Sequence, residues 1–291
     1  MLSELAAELL PRCDLPSRGE LLSCAVSGGP DSLALLVLAV AAGCDATAYH
    51  VDHGLRPESD KEAAIVQSAA DRLGARFIGL RVEVAPGGNL EARARAARFS
   101  ALPPDVATGH TADDQAETII LNLARGSGAS GLAGMRAGRR HPILKLRRSE
   151  TERLVSSLRL DVVRDPSNAD PNIRRNRVRH ELIPLLSSIA DRDVVAVIGR
   201  EAELIADDVA LLDEMSDAID ATDARQLADA PVALARRSVR AWLRALTDPP
   251  LPPDSFAVER VLAVARGETI ACEIAGGTRI SRHRGRLVVG G

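Results

Sequence analysis

Hydrophobic and polar residues alternate through the first part of the chain in a pattern typical of strands separated by helices. Apolar or alternating runs predict strands at 21–26, 44–51 and 75–84. Apolar residues at helical spacing predict helices over 33–40 and 58–73. Strands that alternate regularly with helices form βαβ units. We therefore expect a parallel sheet in this part of the chain.

The alternation continues past a break at 86–88, where a proline and two glycines follow the third strand. Asn89 can cap the next helix, which ends near Leu102, and 104–108 predicts a short fourth strand. Parallel sheets bind their ligands at the carboxyl ends of the strands. The loops that follow the first, second and fourth strands are therefore expected to border one crevice.

The pattern changes after Pro184, where long helical stretches replace the alternation. Helical spacing and a final pair of alternating runs predict three helices and a β-hairpin, at 192–220, 231–247, 256–266 and 270–289. We therefore predict an α/β fold with two domains. A Rossmann-like parallel sheet occupies 1–186, and a smaller, mainly helical domain that ends in the hairpin occupies 187–291.

The turn between the first strand and the first helix reads Ser-Gly-Gly-Pro-Asp-Ser. Backbone N–H groups and the positive end of a helix dipole meet at such a turn and form an anion site. An acid in this position is expected to hold Mg²⁺ or a cationic substrate group. No lysine follows the glycines, so the turn is not a Walker-type loop. The candidate nucleotide-binding residues are Ser27, Gly28, Gly29, Pro30, Asp31 and Ser32.

A second group of polar residues follows the fourth strand. His110, Asp113 and Asp114 lie there together with Gln115, whereas Glu117 is expected to support packing. Acids in the first turn of a helix also complement its dipole, so this simpler explanation stays open. The group nevertheless suits Mg²⁺ bound to pyrophosphate, and an amine substrate. The candidate catalytic residues are Asp31, Asp113, Asp114 and His110, with Asp31 and Asp114 as the candidate Mg²⁺ ligands.

The distribution of charge changes what the total charge suggests. The 291-residue chain has a net charge of −3, which by itself argues against a nucleic-acid partner. Residues 136–181, however, contain thirteen Lys or Arg and six Asp or Glu. Such a concentration is typical of a surface that binds a phosphate backbone, although a solvated helix would look similar. The candidate RNA or substrate contacts are His53, Arg95, Arg98, Arg125, Arg174, Arg175, Asn176, Arg177 and Arg179.

The cysteines and the hydropathy pattern indicate the compartment. The four cysteines form no CxxC pair, which argues against a zinc site or an iron–sulfur cluster. No apolar stretch reaches the ~18–20 residues that span a bilayer, so no membrane association is expected. Glu4 and Glu8 interrupt the first ten residues, unlike a signal peptide. We expect a cytoplasmic protein.

Six motifs, taken together and in this order, resemble the tRNA(Ile)-lysidine synthetases, which are PP-loop ATP pyrophosphatases. They are SGGPDS, HVDHGLR, EARARAARF, GHTADDQAET, RGSGASGL and DPSNADPNIRRNRVR, and the likeness is strongest over 21–186. It implies ATP and Mg²⁺ as cofactors, with L-lysine and the tRNA(Ile) that carries a CAU anticodon as substrates. Lysine would be joined to C2 of the wobble cytidine through an adenylated cytidine, with release of AMP and pyrophosphate. Phe99 departs from the tyrosine usual in that family.

Other functions compete with this interpretation. A tRNA thiolase of the same superfamily would want CxxC pairs, and a GMP or NAD synthetase would lack the arginine-rich segment at 174–179. A non-catalytic nucleotide-binding module would not need Asp31, Asp113 and Asp114 together. The sequence leaves the oligomeric state open between a monomer and a homodimer.

Overall fold

Four parallel strands form the sheet of the N-terminal unit. The computed structural model describes residues 4–52, 59–82, 90–246 and 253–290. The strands are β1 (Leu21–Ala25), β2 (Asp45–Asp52), β3 (Arg76–Arg81) and β4 (Ala107–Thr108). Their order is β3-β2-β1-β4, and every pair is parallel, as the sequence predicts. The chain proceeds from β1 to one side and returns to its other side with β4, so a crevice is expected where β1 and β4 end.

Helices α1 to α9 belong to this unit, and α10 begins in it. Their bounds are Glu4–Leu9, Pro30–Ala41, Ser59–Leu73, Leu90–Ala101, Ala112–Ala124, Gly128–Leu132, Arg148–Ser157, Arg174–Arg177, Ile183–Ala190 and Val194–Asp217. Eight of the twelve side chains of α2 are buried, and they include Leu33, Leu35, Leu36 and Leu38. A helix that is apolar on all sides belongs in the middle of a core. This burial fixes the position of its first turn, which carries Asp31.

Two of these helices differ from what the sequence pattern predicts. Residues 128–132 form α6, although the glycines of the segment at 125–132 are typical of a loop. Helix α7 was not predicted at all, although Thr151, Leu154 and Val155 are buried at helical spacing. The abundant charges around them obscure the apolar face in the sequence. Helix α7 packs against α2, and it brings new side chains to the first turn of α2.

The second compact unit begins within α10, at Ile205, because residues on either side of this position make most of their contacts within their own unit. Beyond α10 it contains α11 (Ala224–Asp229), α12 (Val232–Ala245) and α13 (Ser255–Arg266), followed by β5 (Ala271–Glu273), β6 (Arg279–His283) and β7 (Arg286–Gly290). Its core is made by the buried faces of α11, α12 and α13 and by apolar residues of the strands. The boundary predicted between 186 and 187 stays a prediction.

The final antiparallel sheet has three strands rather than the two of the predicted hairpin. The second predicted run is divided at Arg284 and Gly285, which both adopt a positive φ and form a tight turn. The predicted fold class, a parallel sheet followed by helices and a terminal antiparallel element, is confirmed. Among the described residues, no helix is long and apolar enough to cross a membrane.

Candidate active site

The glycine turn joins β1 to α2 in a conformation that requires its first glycine. Gly28 has a φ of +87°, and a Cβ placed on it would lie 2.5 Å from Cγ2 of Val163. The N–H of Val163 donates to the carbonyl of Gly28 at 2.9 Å. Gly29 caps α2, and Pro30 occupies the first turn of the helix, where its missing N–H costs nothing. The turn is thus closely packed on one side by the segment that follows α7.

Two serine hydroxyls hold the turn from within. Ser32 Oγ donates to the carbonyl of Gly29 at 2.9 Å and accepts from the N–H of Ser27 at 3.2 Å. Ser27 Oγ lies 3.3 Å from Ser32 Oγ. Ser32 is buried whereas Ser27 is exposed. Ser32 therefore shapes the turn, and the hydroxyl of Ser27 is accessible to a ligand.

Asp31 lies in the first turn of α2, in an environment that disfavours its charge. Burial raises the pKa of its carboxyl to about 6, opposed by a hydrogen bond from Thr151 and by the charge of Arg148. Thr151 donates to Oδ1, and Nε of Arg148 lies 3.3 Å from Oδ2. The residue that follows β4, Gly109, packs closely against the backbone of Asp31. A Cβ placed on Gly109 would lie 2.6 Å from the carbonyl oxygen of Asp31.

Two further carboxylates lie beside Asp31. Asp114 forms a capping box at the start of α5, where Oδ2 accepts from the N–H and the hydroxyl of Thr111, both at 2.9 Å. The charge of Arg148 and the bond from Thr111 hold the pKa of Asp114 below its usual range, although burial opposes them. Glu117, one turn later, is fully buried. A buried carboxylate requires compensating partners.

Arg148 connects the three carboxylates. Its guanidinium lies 2.9 Å from Oδ1 of Asp114 and 3.1 Å from Oε1 of Glu117, in addition to its contact with Asp31. Glu117 also accepts from Nε of Arg175 at 2.6 Å and from Nε of Arg179 at 2.7 Å. Three guanidinium groups thus surround three carboxylates. The sequence interpretation missed Arg148 and Thr151, and the unrecognised helical spacing of α7 is the signal that could have revealed them.

The side chain of Asp113 binds the guanidinium of Arg147, whereas that of Asp114 binds the guanidinium of Arg148. Its carboxylate accepts from Arg147 at 3.0 and 3.1 Å and from the backbone N–H of Arg148 at 2.8 Å. These bonds hold the pKa of Asp113 below its usual range, although burial acts in the opposite direction. Arg147 also contacts Asp193. Of the two adjacent aspartates, Asp114 is therefore the one that contacts the same guanidinium as Asp31, that of Arg148.

His110 lies just beyond β4 in a small cluster with another histidine. Oγ1 of Thr108 is 2.6 Å from Nδ1 of His110 and 2.9 Å from Nδ1 of His141. The two rings meet edge to face, with centroids 5.1 Å apart. Burial and the charge of Arg140 hold the pKa of His141 below its usual value. His141 was not among the residues singled out from the sequence.

The predicted RNA contacts occupy several different environments. Arg175 and Arg179 bind Glu117, whereas Arg174 and Arg125 are exposed and Arg177 pairs with exposed Glu181 at 2.9 Å. Asn176 is buried and donates to the carbonyls of Ser167 and Asp170 at 2.7 and 2.9 Å.

The remaining three candidates are Arg98, Arg95 and His53. The guanidinium of Arg98 lies 5.3 Å from the ring centroid of Phe99. Arg95 belongs to α4, where its backbone is described, and His53 lies outside the described residues. All the roles predicted for these residues stay predictions.

Asp31 and Asp114 have the oxygen donors that Mg²⁺ prefers, and both contact the guanidinium of Arg148. Arg148 lies between them, so a metal could bind both carboxylates only after the guanidinium withdrew. Among the described residues, no group of three or more His, Cys, Asp or Glu side chains surrounds a metal position. The pair therefore fits Mg²⁺ that arrives with a nucleotide and keeps most of its ligands on phosphate and water.

The chain is similar in sequence to a known protein family. A model of the PP-loop domain matches residues 4–186. The tRNA(Ile)-lysidine synthase of Nocardia farcinica is 41% identical, with 94% of this chain and 93% of that protein covered. The protein of the same name from Rhodococcus erythropolis is also 41% identical, with 91% and 88% covered.

A solved structure with much lower sequence identity has a similar fold. The U34-tRNA thiolase of Methanococcus maripaludis superposes with a TM-score of 0.54 and covers 70% of this chain and 77% of its own length. Its sequence identity is 17%, so this likeness concerns the fold alone.

Proposed function

Because this chain belongs to the tRNA(Ile)-lysidine synthase family of PP-loop proteins, we propose that it is an ATP-dependent ligase that joins L-lysine to the CAU anticodon of tRNA(Ile). The bond forms at C2 of the wobble cytidine, through an adenylated cytidine. The observation that supports this most strongly is the position of Asp31, which lies beside Asp114 and directly after the glycine turn. The tRNA substrate implies a cytoplasmic enzyme as part of the same proposal.

The glycine turn is the proposed binding site for the phosphates of ATP. Its backbone N–H groups and the amino end of α2 provide positive potential, and the φ of Gly28 lets the backbone approach a ligand closely. The hydroxyl of Ser27 adds a donor at the surface of the turn. Arg148 lies next to Asp31 and would meet a phosphate at the same edge.

Asp31 and Asp114 are the proposed ligands for Mg²⁺ that enters with ATP. When bound, the ion would neutralise charge on the triphosphate and favour departure of pyrophosphate. The protein's own contribution is to hold the two carboxylates at one edge of the sheet. The same acidic group, with Glu117 behind it, suits the ammonium groups of lysine after the nucleotide has reacted.

The reaction needs two bond exchanges. O2 of the cytosine forms a bond to the α-phosphorus of ATP, and pyrophosphate leaves with the electron pair of the broken bond. An amine of lysine then attacks C2, and AMP leaves with O2. The amine must be neutral to attack and must lose a proton as the new bond forms. His110 is the proposed acceptor of that proton, with the neighbouring carboxylates as the alternative.

The tRNA must present an unstacked base to this edge of the sheet. Removing a base from its stack costs a few kcal/mol, and less in a single-stranded loop such as an anticodon. Exposed Arg174, Arg177 and Arg125 are the proposed contacts to the RNA backbone, which attracts guanidinium groups irrespective of its sequence. Buried Asn176 and ion-paired Arg175 are proposed to act through the shape of this segment.

The test of this proposal is pyrophosphate release from ATP in the presence of tRNA(Ile) and lysine. Asp31→Asn should abolish release and leave the far-ultraviolet circular dichroism spectrum unchanged. Asp105→Asn is the matched control, because Asp105 is exposed and its nearest ion-pair contact, Arg139, is 3.9 Å away. Normal turnover and normal Mg²⁺ dependence in Asp31→Asn would contradict the proposed site.

A further inference from the structure

The hydroxyl of Thr108 has more hydrogen-bonding partners than it has protons. Oγ1 lies 2.6 Å from Nδ1 of His110, 2.9 Å from Nδ1 of His141 and 3.1 Å from the carbonyl oxygen of Arg140. A hydroxyl has one proton to donate and two lone pairs that accept. The carbonyl can only accept. All three contacts are satisfied together when the hydroxyl donates to Arg140 and each imidazole donates to the hydroxyl.

This arrangement would give both rings the same tautomer. Each neutral imidazole then carries its proton on Nδ1, and Nε2 keeps the lone pair. The lowered pKa of His141 agrees with a neutral ring at that position. Were the hydroxyl proton to point at His110 instead, that ring would carry its proton on Nε2. The nitrogen needed to accept a proton there would no longer be basic.

The backbone holds the hydroxyl in place. The N–H of Thr108 donates to the carbonyl of Arg140 at 2.9 Å, so the residue meets this carbonyl through both its main chain and its side chain. The segment before His141 turns back on itself through a bridge to Gly138. Thr108 is therefore anchored to a neighbouring backbone, and both rings must orient toward it.

We propose that Thr108 is a positioning residue that holds His110 in the tautomer with its proton on Nδ1, so that Nε2 can accept the proton from the attacking amine. This inference rests on the proposed function, which makes His110 the proton acceptor. It assigns Thr108 no contact with the substrate. The general rule is that the hydrogen bond at one ring nitrogen decides which nitrogen of a histidine is basic.

The tautomer can be measured without any reaction. The protein is labelled with ¹⁵N-histidine and observed by NMR near pH 8, above the ordinary imidazole pKa of about 6.5, and His110 is assigned by its loss in His110→Gln. We expect the Nδ1 of His110 to be protonated and Nε2 to be unprotonated. His50 is an internal reference, because its Nδ1 faces the carbonyl of Val26 at 2.9 Å and must carry the proton.

Two substitutions connect the tautomer to the reaction. Thr108→Val removes the hydroxyl at nearly constant volume and should move His110 away from a single Nδ1–H tautomer. It should lower kcat at least tenfold, because general bases contribute about 10²–10⁴ to a rate. The KM values for ATP and tRNA should be unchanged. Thr108→Ser keeps the hydroxyl and should restore both the tautomer and kcat.

Three results would overturn the inference. A wild-type spectrum in which His110 carries its proton on Nε2 would overturn it, even if Thr108→Val does not fold. A changed tautomer with unchanged kcat would show that the ring state does not limit the reaction. Equal loss of kcat in Thr108→Val and Thr108→Ser would indicate a different role. If the wild-type protein forms no lysidine while the predicted spectrum is observed, the proposed function has failed and the tautomer assignment has not.

Discussion

Asp31 and the aspartates of α5 respond to pH in opposite directions. The pKa of Asp31 is raised to about 6, so its contribution to the stability of the fold is complete below about pH 4 and is lost as pH rises through about 6. The pKa values of Asp113 and Asp114 are lowered, so their contributions are present above about pH 4 and are lost as pH falls. At neutral pH the fold therefore tolerates a costly charge on Asp31, as functional sites often do.

The hydroxyl of Thr151 reduces that cost. It donates to the Asp31 carboxylate and lowers the pKa that burial raises. Thr151→Val should therefore raise the pKa of Asp31 above about 6, whereas Thr151→Ser should leave it nearly unchanged. The measurement is an NMR titration of the Asp31 side-chain ¹³C carboxyl signal in nucleotide-free protein. An unchanged titration midpoint in Thr151→Val would show that this hydrogen bond does not stabilise the ionised carboxylate.

Individual residues differed in how well the sequence predicted them. Asp31 could be found because an acid stands out inside a glycine turn that is expected to bind phosphate. Arg148 could not, because it is one of 37 Lys and Arg residues, and which guanidinium reaches the carboxylates depends on the packing of α7 against α2. Thr108 and His141 meet only after the segment at 138–141 folds alongside β4. Such contacts are tertiary and leave no local pattern.

At the scale of elements, the junction between β1 and α2 depends on close backbone approaches. Gly28→Ala would force a side chain into the left-handed region and toward Cγ2 of Val163, which would lie 2.5 Å away. The backbone strain costs about 1–2 kcal/mol and the overpacking about 1–3 kcal/mol. We expect the stability to fall by a similar sum and ATP affinity to fall with it. Urea denaturation and calorimetric ATP titration measure the two effects.

A second substitution separates the two causes. Gly28→Ala combined with Val163→Ala removes the Val163 methyl groups and should recover part of the stability, while the strain from the positive φ remains. Val163→Ala alone is the control for lost packing. If the double variant is no more stable than Gly28→Ala, crowding by Val163 is not the cause of the defect.

Helices and strands were predicted best where the hydrophobic pattern is regular over a long stretch of the chain. The alternation of strands and helices identified the parallel sheet, because buried parallel strands and amphipathic helices have different periods. Helix α7 was missed because it is short and only Thr151, Leu154 and Val155 mark its buried face. The last sheet was assigned one strand too few because the turn at Arg284 and Gly285 interrupts a run that otherwise alternates.

At the scale of the whole molecule, the arginine-rich segment at 174–179 has two proposed purposes. Arg175 and Arg179 neutralise buried Glu117, and Arg174 and Arg177 lie at the surface. A cluster of arginines in the sequence could not reveal this division. A chain with a net charge of −3 can thus expose local positive charge, which we propose contacts RNA, while it stabilises a buried acidic group.

Salt dependence distinguishes the two purposes. Arg174→Gln with Arg177→Gln should flatten the slope of log K for tRNA against log salt by about 1–2, because each neutralised phosphate contributes roughly 0.7–0.9. ATP affinity should be unchanged. Arg175→Gln is the comparison, and it should chiefly lower stability, because Glu117 would lose one of its cationic partners. An unchanged slope in the double variant would show that these side chains do not contact the RNA backbone.

We propose that one crevice brings ATP, lysine and tRNA(Ile) together in a single reaction. The most direct measurement is mass spectrometry of nucleosides from tRNA(Ile) bearing a CAU anticodon, after incubation with the protein, ATP, Mg²⁺ and isotopically labelled lysine. We expect a cytidine that has gained one labelled lysine and lost one water, formed by the wild type and absent with Asp31→Asn. Pyrophosphate release without tRNA or lysine, with no modified cytidine, would contradict this proposal.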